Sequence, residues 1–140
     1  MVNPPKEGVN SPDVVSLYER ELGTIFAGLK KRAHLLTQKL NSIPHITSTN
    51  IEGAMYAFPS IKMTPKAIAA AKAKGMAPDV FYAGKVLEQT GLMVVPGSGF
   101  KQRDGTHHFR ITNLIYNTEE FDGALDDLKT FTTKFFEQYS

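Results

Sequence analysis

The chemistry that this sequence offers begins with one arginine in a strand-like segment. Residues His107–Ile115 alternate between apolar and polar side chains, so Phe109 and Ile111 share one face of the predicted strand and Arg110 lies on the other. A guanidinium outside the apolar face can bind a carboxylate through two parallel hydrogen bonds. Arg110 is therefore a candidate carboxylate-binding residue, although the pattern alone favours an ordinary surface arginine paired with an acid.

A glycine-rich turn is the second candidate. The segment Pro96–Phe100 contains Gly97, Ser98 and Gly99, and backbone amides in such a turn can cradle an anion. No helix with a lysine follows at the spacing of a phosphate-binding loop, so the motif alone favours a tight turn between two strands. Ser98 also lacks a base and an orienting acid nearby in the sequence, so a serine hydrolase has no support.

The histidines and the missing cysteines argue against a metal site. His107 and His108 are adjacent in a strand, so they point in opposite directions and cannot bind one metal together. His34 and His45 have no acidic or histidine partner at ligand spacing. The chain has no cysteine, which excludes disulfides, thiol nucleophiles and cysteine-based zinc sites.

Charge and hydropathy exclude two further classes of partner. The 16 Lys and Arg residues against 14 Asp and Glu residues leave a formal charge of +2, and the basic residues are scattered, so no nucleic-acid partner is predicted. No apolar run approaches the roughly 20 residues that cross a bilayer. Met1–Ser11 lacks the pattern of a signal peptide, and a reducing cytosol is the expected compartment.

A long helix is predicted to start the domain. Ser11 and Pro12 form a helix start, and Asn41–Pro44 forms a stop. A helix of about 28 residues spans on the order of 40 Å, more than the rest of so small a domain can cover, so part of it should pack against another domain. Its apolar side chains recur at steps of three and four: Tyr18, Leu22, Ile25, Phe26, Leu29, Ala33, Leu36 and Leu40.

The remaining elements predict an α+β fold, in which helices cover one face of a small sheet. Phe81, Leu87, Val80 and Gly84 are expected to face inward on the third helix. The predicted strands are Ile46–Ser48, Ala54–Phe58, Leu92–Val95 and His107–Ile115, and the predicted later helices run from Pro65 to Lys74, from Pro78 to Gly91 and from Asn117 nearly to the end.

Several motifs together resemble one enzyme family, the alanine transaminases. The likeness runs from end to end, which makes it more specific than a single glycine-rich loop. The segments that carry it are Gly53–Pro59 (GAMYAFP), Glu88–Gly91 (EQTG), Val94–Phe100 (VVPGSGF) and His108–Thr112 (HFRIT), with Asn3–Pro5 and Phe136–Ser140 at the two ends.

The resemblance implies a fold-type I aminotransferase, in which a large domain binds pyridoxal phosphate and a small α+β domain closes over the substrate. Residues 12–140 resemble the small domain, with its long interdomain helix, and residues 1–11 a linker from a large domain that is missing here. Arg110 is similar to the arginine that holds the substrate α-carboxylate, and Gly97, Ser98 and Gly99 resemble a segment that borders the same cleft. The implied parent is a homodimer, cytoplasmic or alternatively mitochondrial, that converts L-alanine and 2-oxoglutarate to pyruvate and L-glutamate.

The departures from the family concern the cofactor. The family's serine-x-serine-lysine segment, with its Schiff-base lysine, and its pyridine-nitrogen aspartate segment appear nowhere in these residues. Asn113–Tyr116 also departs from the proline-containing continuation that is common after the arginine strand. We therefore predict no catalytic residue and no bound pyridoxal phosphate in this chain, and no transaminase activity when it is alone.

Two other interpretations remain at this stage. The chain could be a stand-alone module that binds small carboxylates through Arg110. It could also be a protein-interaction domain that uses the exposed part of the first helix, because that apolar stripe exceeds what the domain can cover.

Overall fold

The computed structural model describes residues 3–53 and 55–140. Two residues of the predicted linker, Met1 and Val2, and the first residue of the predicted strand Ala54–Phe58 lie outside the described residues. The helices are α1 (Pro12–Asn41), α2 (Pro65–Ala73), α3 (Pro78–Thr90) and α4 (Thr118–Gln138), with a 3₁₀ helix at Gly97–Phe100. The strands are β1 (Ile46–Thr47), β2 (Tyr56–Ala57), β3 (Ser60–Ile61), β4 (Val95–Pro96) and β5 (Phe109–Thr112).

Helix α1 begins and ends where its sequence signals predicted. Ser11 is the residue before its first turn, and proline occupies the first helical position. Its 30 residues span about 45 Å, but only the second half carries side chains of the main core, such as Leu36 and Leu40. In the first half Val15 is buried, whereas Phe26 is 61% exposed. Apolar exposure was predicted over Val14–Ile25. It is confirmed at Val14, Leu17 and Ile25, whereas Val15 is buried and Tyr18 and Leu22 are half-buried.

The strands form two small antiparallel sheets. The predicted strands are shorter in the structure than the sequence pattern suggested. One sheet pairs β1 with β3, and the other has the order β2-β5-β4. β2 ends at Ala57, one residue before the predicted end at Phe58. Pro59 has no N–H for the ladder, although its carbonyl still accepts the Phe109 N–H at 3.2 Å. The next two residues form β3, an element that the sequence reading missed.

Helix α3 presents a different face to the core than predicted. Phe81 is buried as expected, but Val80, Gly84 and Leu87 are exposed, with Leu87 at 48%. The prediction was wrong because a buried acid lies on the inward face and shifts the apolar stripe around the helix. The residues that are buried are Asp79, Phe81, Tyr82, Ala83 and Val86.

Helix α4 closes the core with aromatic side chains. The Asn117 side chain accepts the Glu119 and Glu120 N–H groups, which confirms the predicted helix start. Tyr82 of α3 lies between the sheet and this helix, with its ring centre 5.7 Å from that of Phe109 in β5. The buried side chains of α4 are Phe121, Leu125, Leu128, Phe131, Thr132, Phe135 and Phe136.

These contacts give an α+β fold in which four helices pack with small antiparallel sheets, as predicted. Within residues 3–53 and 55–140, none of the helices combines the length and hydropathy needed to span a bilayer.

Candidate carboxylate-binding site

Strand β5 places Arg110 on the face opposite the core. Phe109 and Ile111 are buried and belong to the main core cluster, whereas Arg110 is half-buried. Antiparallel pairing sets Arg110 opposite Val95 in β4. The alternation predicted from the sequence is therefore confirmed, and it directs the guanidinium away from the packed interior.

Two aromatic rings hold the Arg110 guanidinium. Its central carbon lies 4.5 Å from the centre of the Tyr56 ring in β2 and 5.1 Å from that of the Phe100 ring at the end of the 3₁₀ helix. Each such contact stabilises a partly exposed cation by roughly 0.5–1 kcal/mol. The rings also restrict the side chain, so the guanidinium is held in one orientation before any anion arrives.

No acid in the described part of the chain forms a direct ion pair with Arg110. The ion pairs there join Lys39 to Asp122 and Asp126, and Lys85 to Glu88. Within residues 3–53 and 55–140, Arg110 is therefore not an ordinary surface arginine that is paired with an acid. A guanidinium that is held by rings and has no acidic partner among the described residues can donate hydrogen bonds to an external carboxylate.

An aromatic wall adjoins the guanidinium on the same face. The Phe58 ring meets Phe100 edge-on, with ring centres 5.5 Å apart, and stacks on His108 at 5.0 Å with an angle of 2° between the planes. His108 directly precedes β5 and continues its extended pairing through a bridge to Ser60, so it lies on the same face as Arg110, two residues later. The wall thus joins Phe58, Phe100 and His108 beside Arg110.

The Gly97–Phe100 turn contributes to the site around Arg110 mainly through its packing and the Phe100 ring, because two of its backbone N–H groups are already hydrogen-bonded. The Ser98 N–H already donates to Asp79 Oδ2 at 2.6 Å, and the Gly97 N–H donates to the His108 carbonyl at 2.8 Å. Gly97 is buried, and a Cβ on it would lie 2.7 Å from the His108 oxygen. Whether Gly97, Ser98 and Gly99 border a substrate cleft stays a prediction.

Sequence reasoning missed three residues that build this site. Phe100 and Tyr56 were quoted only within larger motifs, and nothing local indicated that both rings meet Arg110. Asp79 was not among the candidate residues, yet it is 1% exposed and accepts a hydrogen bond from the turn between β4 and β5. Such contacts join distant segments, so no spacing rule can reveal them.

The residues of this chain do not fit pyridoxal phosphate. A Schiff-base lysine needs a desolvated environment that lowers its pKa, and every lysine here is exposed or half-exposed. The pKa of Lys39 is raised instead, by hydrogen bonds to Asp122 and Asp126, and that of Lys85 by its hydrogen bond to Glu88. In the described ranges, no group of three or more acidic or histidine side chains could hold a metal ion.

Comparison with known proteins finds aminotransferases among the proteins similar to this chain. No family model matches the chain. "Alanine aminotransferase 2-like" from Danio rerio is 44% identical over 140 residues, which is 100% of this chain and 25% of that protein. The chain is homologous to the carboxyl-terminal part of alanine aminotransferases.

Two further matches agree with this aminotransferase relationship. Glutamate–glyoxylate aminotransferase 2 of Arabidopsis thaliana is also 44% identical over 140 residues, 28% of its length. A solved alanine aminotransferase from Pyrococcus furiosus superposes with a TM-score of 0.62 and 28% identity, over 90% of this chain and 27% of that one. The chain spans about a quarter of the length of the curated aminotransferases that it matches.

Proposed function

We propose that this chain is the carboxyl-terminal small domain, residues 12–140 with a linker at 1–11, of a pyridoxal-phosphate-dependent alanine transaminase. This parent enzyme transfers the amino group of L-alanine to 2-oxoglutarate and yields pyruvate and L-glutamate. The proposal is supported by the names of the homologous proteins and by the four motifs that resemble the family.

In this proposal Arg110 binds the α-carboxylate of the amino acid or the oxo acid. The observation that carries the proposal is that the guanidinium lies between Tyr56 and Phe100 without an acidic partner among the described residues. A planar guanidinium held in this way fixes the orientation of a carboxylate as well as binding it. Its role in the parent is to position the substrate while the small domain closes the active site.

The amino-transfer chemistry itself belongs to the rest of the parent enzyme. When bound, pyridoxal phosphate supplies an electron sink for the substrate carbanion. The exposed lysines and the occupied Ser98 amide of this chain do not provide its binding site. The chain alone should therefore neither form a specific aldehyde adduct nor transaminate.

The exposed part of α1 suits packing against the remainder of such a parent. A groove of about 890 Å³ lies along this helix, and Phe26 at its edge is exposed. Apolar side chains of this kind need a cover, here the large domain of the proposed homodimer. Residues that line the groove include Phe26, Leu29, Ala33, Ile51, Met55 and Leu114.

The substrate pair needs a direct test, because the glutamate–glyoxylate enzyme is as similar to this chain as the alanine enzyme is. The protein encoded by the full reading frame should be assayed with alanine or glutamate as the donor and with 2-oxoglutarate or glyoxylate as the acceptor. We expect pyruvate to form from alanine with 2-oxoglutarate. Transfer from glutamate to glyoxylate with no turnover of alanine would assign the other activity.

The same experiment also tests the two alternatives, a stand-alone carboxylate-binding module and a protein-interaction domain. If the full reading frame encodes only this domain and the product does not transaminate, the parent enzyme is refuted. Binding of small carboxylates that depends on Arg110 would then indicate a binding module. Self-association in size-exclusion chromatography without such binding would indicate an interaction domain that uses α1.

A further inference from the structure

A buried carboxylate outside the Arg110 face organises the residues around it. Asp79 lies in the first turn of α3 and is almost completely buried. Its Oδ2 atom accepts the Ser98 N–H at 2.6 Å and the Gln102 Nε2–H at 3.1 Å. Both donors come from the segment between β4 and β5, so the carboxylate ties this segment to α3.

The contact with Asp79 decides which way the Gln102 amide faces. Because Oδ2 accepts, the Gln102 NH₂ group must point toward Asp79, and its carbonyl oxygen must point the other way. That oxygen lies 3.1 Å from His108 Nδ1. A carbonyl oxygen only accepts, so His108 Nδ1 must carry a proton.

This hydrogen bond sets the state of His108. The tautomer of a neutral imidazole follows from the partner of each ring nitrogen, so neutral His108 is protonated at Nδ1 and bare at Nε2. The same bond fixes the plane of the ring, which stacks on Phe58 at 5.0 Å. Phe58 in turn meets Phe100, and Phe100 meets the Arg110 guanidinium.

We propose that Asp79 is a positioning residue for the Arg110 site, acting through Gln102 on the tautomer and orientation of His108. Asp79 touches neither Arg110 nor a substrate in this proposal. It holds the Ser98 turn that carries Phe100, and it holds the ring that supports Phe58. The inference rests on the carboxylate site proposed above, because only that site makes the wall around Arg110 functional.

The tautomer of His108 tests the proposal without any enzyme activity. In the ¹⁵N-labelled 140-residue chain, which has its own core, long-range ¹H–¹⁵N spectra distinguish a protonated Nδ1 from a protonated Nε2. The spectrum of His108→Gln assigns the signals, because it lacks one of the four imidazoles. We expect Nδ1–H for neutral His108. Nε2–H in the unmodified chain would overturn the proposal.

Matched variants show whether Asp79 acts through Gln102. Asp79→Asn keeps a carbonyl oxygen that can accept from Ser98 and Gln102, so His108 should keep the Nδ1–H tautomer. Asp79→Ala lacks this acceptor, so His108 should lose its preference for Nδ1–H. Gln102→Leu, at a half-buried position, should give a mixed or Nε2–H tautomer with unchanged circular dichroism. Persistence of Nδ1–H in Gln102→Leu would contradict the proposal, even if Asp79→Ala failed to fold.

Kinetics of the parent enzyme complete the test. Gln102→Leu should raise KM for alanine about fivefold with little change in kcat, since one hydrogen bond contributes on the order of 1 kcal/mol. An unchanged KM would refute the positioning role. If substitution of Arg110 has no effect on catalysis, the carboxylate site fails regardless of the tautomer. If Arg110 matters but His108 is Nε2–H, only the positioning proposal fails.

Discussion

The guanidinium of Arg110 and the ring of Tyr56 are stacked, with 4.5 Å between the guanidinium carbon and the ring centre. Pairing of β2 with β5 produces this contact, because Tyr56 lies opposite Thr112 and therefore on the same sheet face as Arg110. The stack holds the cation without neutralising it, since a ring carries no net charge. The site thus combines a ring-stacked cation with the absence of an acidic partner among the described residues.

The Tyr56 ring should contribute measurably to substrate binding in the parent enzyme. Tyr56→Leu removes the cation–π contact, which is worth roughly 0.5–1 kcal/mol at a partly exposed site, so KM for alanine should rise about two- to fivefold. Tyr56→Phe keeps the ring and serves as the matched control. Equal effects of the two substitutions in steady-state kinetics would show that the ring does not hold Arg110.

Gly97 should not tolerate a side chain. A Cβ at this position would lie 2.7 Å from the His108 oxygen and 2.9 Å from its Cβ. That oxygen is a backbone atom that accepts the Gly97 N–H, so it cannot easily move away. Gly97→Ala should therefore destabilise the chain by about 1–3 kcal/mol in urea unfolding. Gly99→Ala is the control, because nothing lies within 4 Å of its Cβ position. Equal stability of the two variants would contradict this packing.

Tyr82 should make the stability of the chain sensitive to high pH. Its hydroxyl lies 2.7 Å from Thr132 Oγ1 and must be the donor, because Thr132 uses its own proton for the Leu128 carbonyl. Burial raises the pKa of Tyr82 above its ordinary value near 10. A raised folded-state pKa gives stability that is complete below the unfolded-state pKa and is lost as pH rises above it.

Comparison with Tyr82→Phe isolates this effect. At pH 8 the variant should be less stable by about 0.5–1.5 kcal/mol, because it lacks the hydrogen bond. At pH 11 the wild type loses roughly 1.4 kcal/mol relative to the variant, since Tyr82 ionises only in the unfolded state, so the difference should vanish or reverse its sign. Urea unfolding at both pH values measures it. A constant difference would mean that Tyr82 ionises equally in both states.

Lys101 lies in the left-handed region, with φ of 53°, where a side chain costs about 1–2 kcal/mol. Lys101→Gly removes this strain but adds roughly 0.5–1 kcal/mol of unfolded-state entropy. The net gain should be up to about 1.5 kcal/mol, or a Tm increase of up to about 6 °C. Lys101→Ala keeps a Cβ and should give no such gain. A similar increase in both variants would refute backbone strain as the cause.

The sequence predicted the elements whose signals are local. The alternation of His107–Ile115 located the arginine face of β5, and the Asn117 cap located the start of α4. The long first helix was also predicted within one residue at its start. Each of these follows from neighbouring residues, because strand alternation and helix caps depend on side chains within a few positions.

The sequence could not predict contacts that depend on tertiary packing. The inward face of α3 was misplaced because Asp79 reads as a solvated acid at a helix start, whereas the Ser98 and Gln102 donors that allow its burial come from a later segment. The pairing of β3 with β1 was missed for the same reason, since two residues carry no periodicity. The rings around Arg110 also come from two separate segments.

The most direct test of the central claim is the steady-state kinetics of Arg110→Lys in the parent enzyme. Lysine keeps the charge but loses the planar two-point contact, so kcat/KM for alanine should fall about tenfold to 200-fold, as expected for a charged hydrogen bond of roughly 1.5–3 kcal/mol. Arg103→Lys, at an exposed loop position, should leave kcat/KM unchanged. Circular dichroism should show an intact fold in both. Unaltered kcat/KM in Arg110→Lys would remove Arg110 from the substrate site and contradict this account.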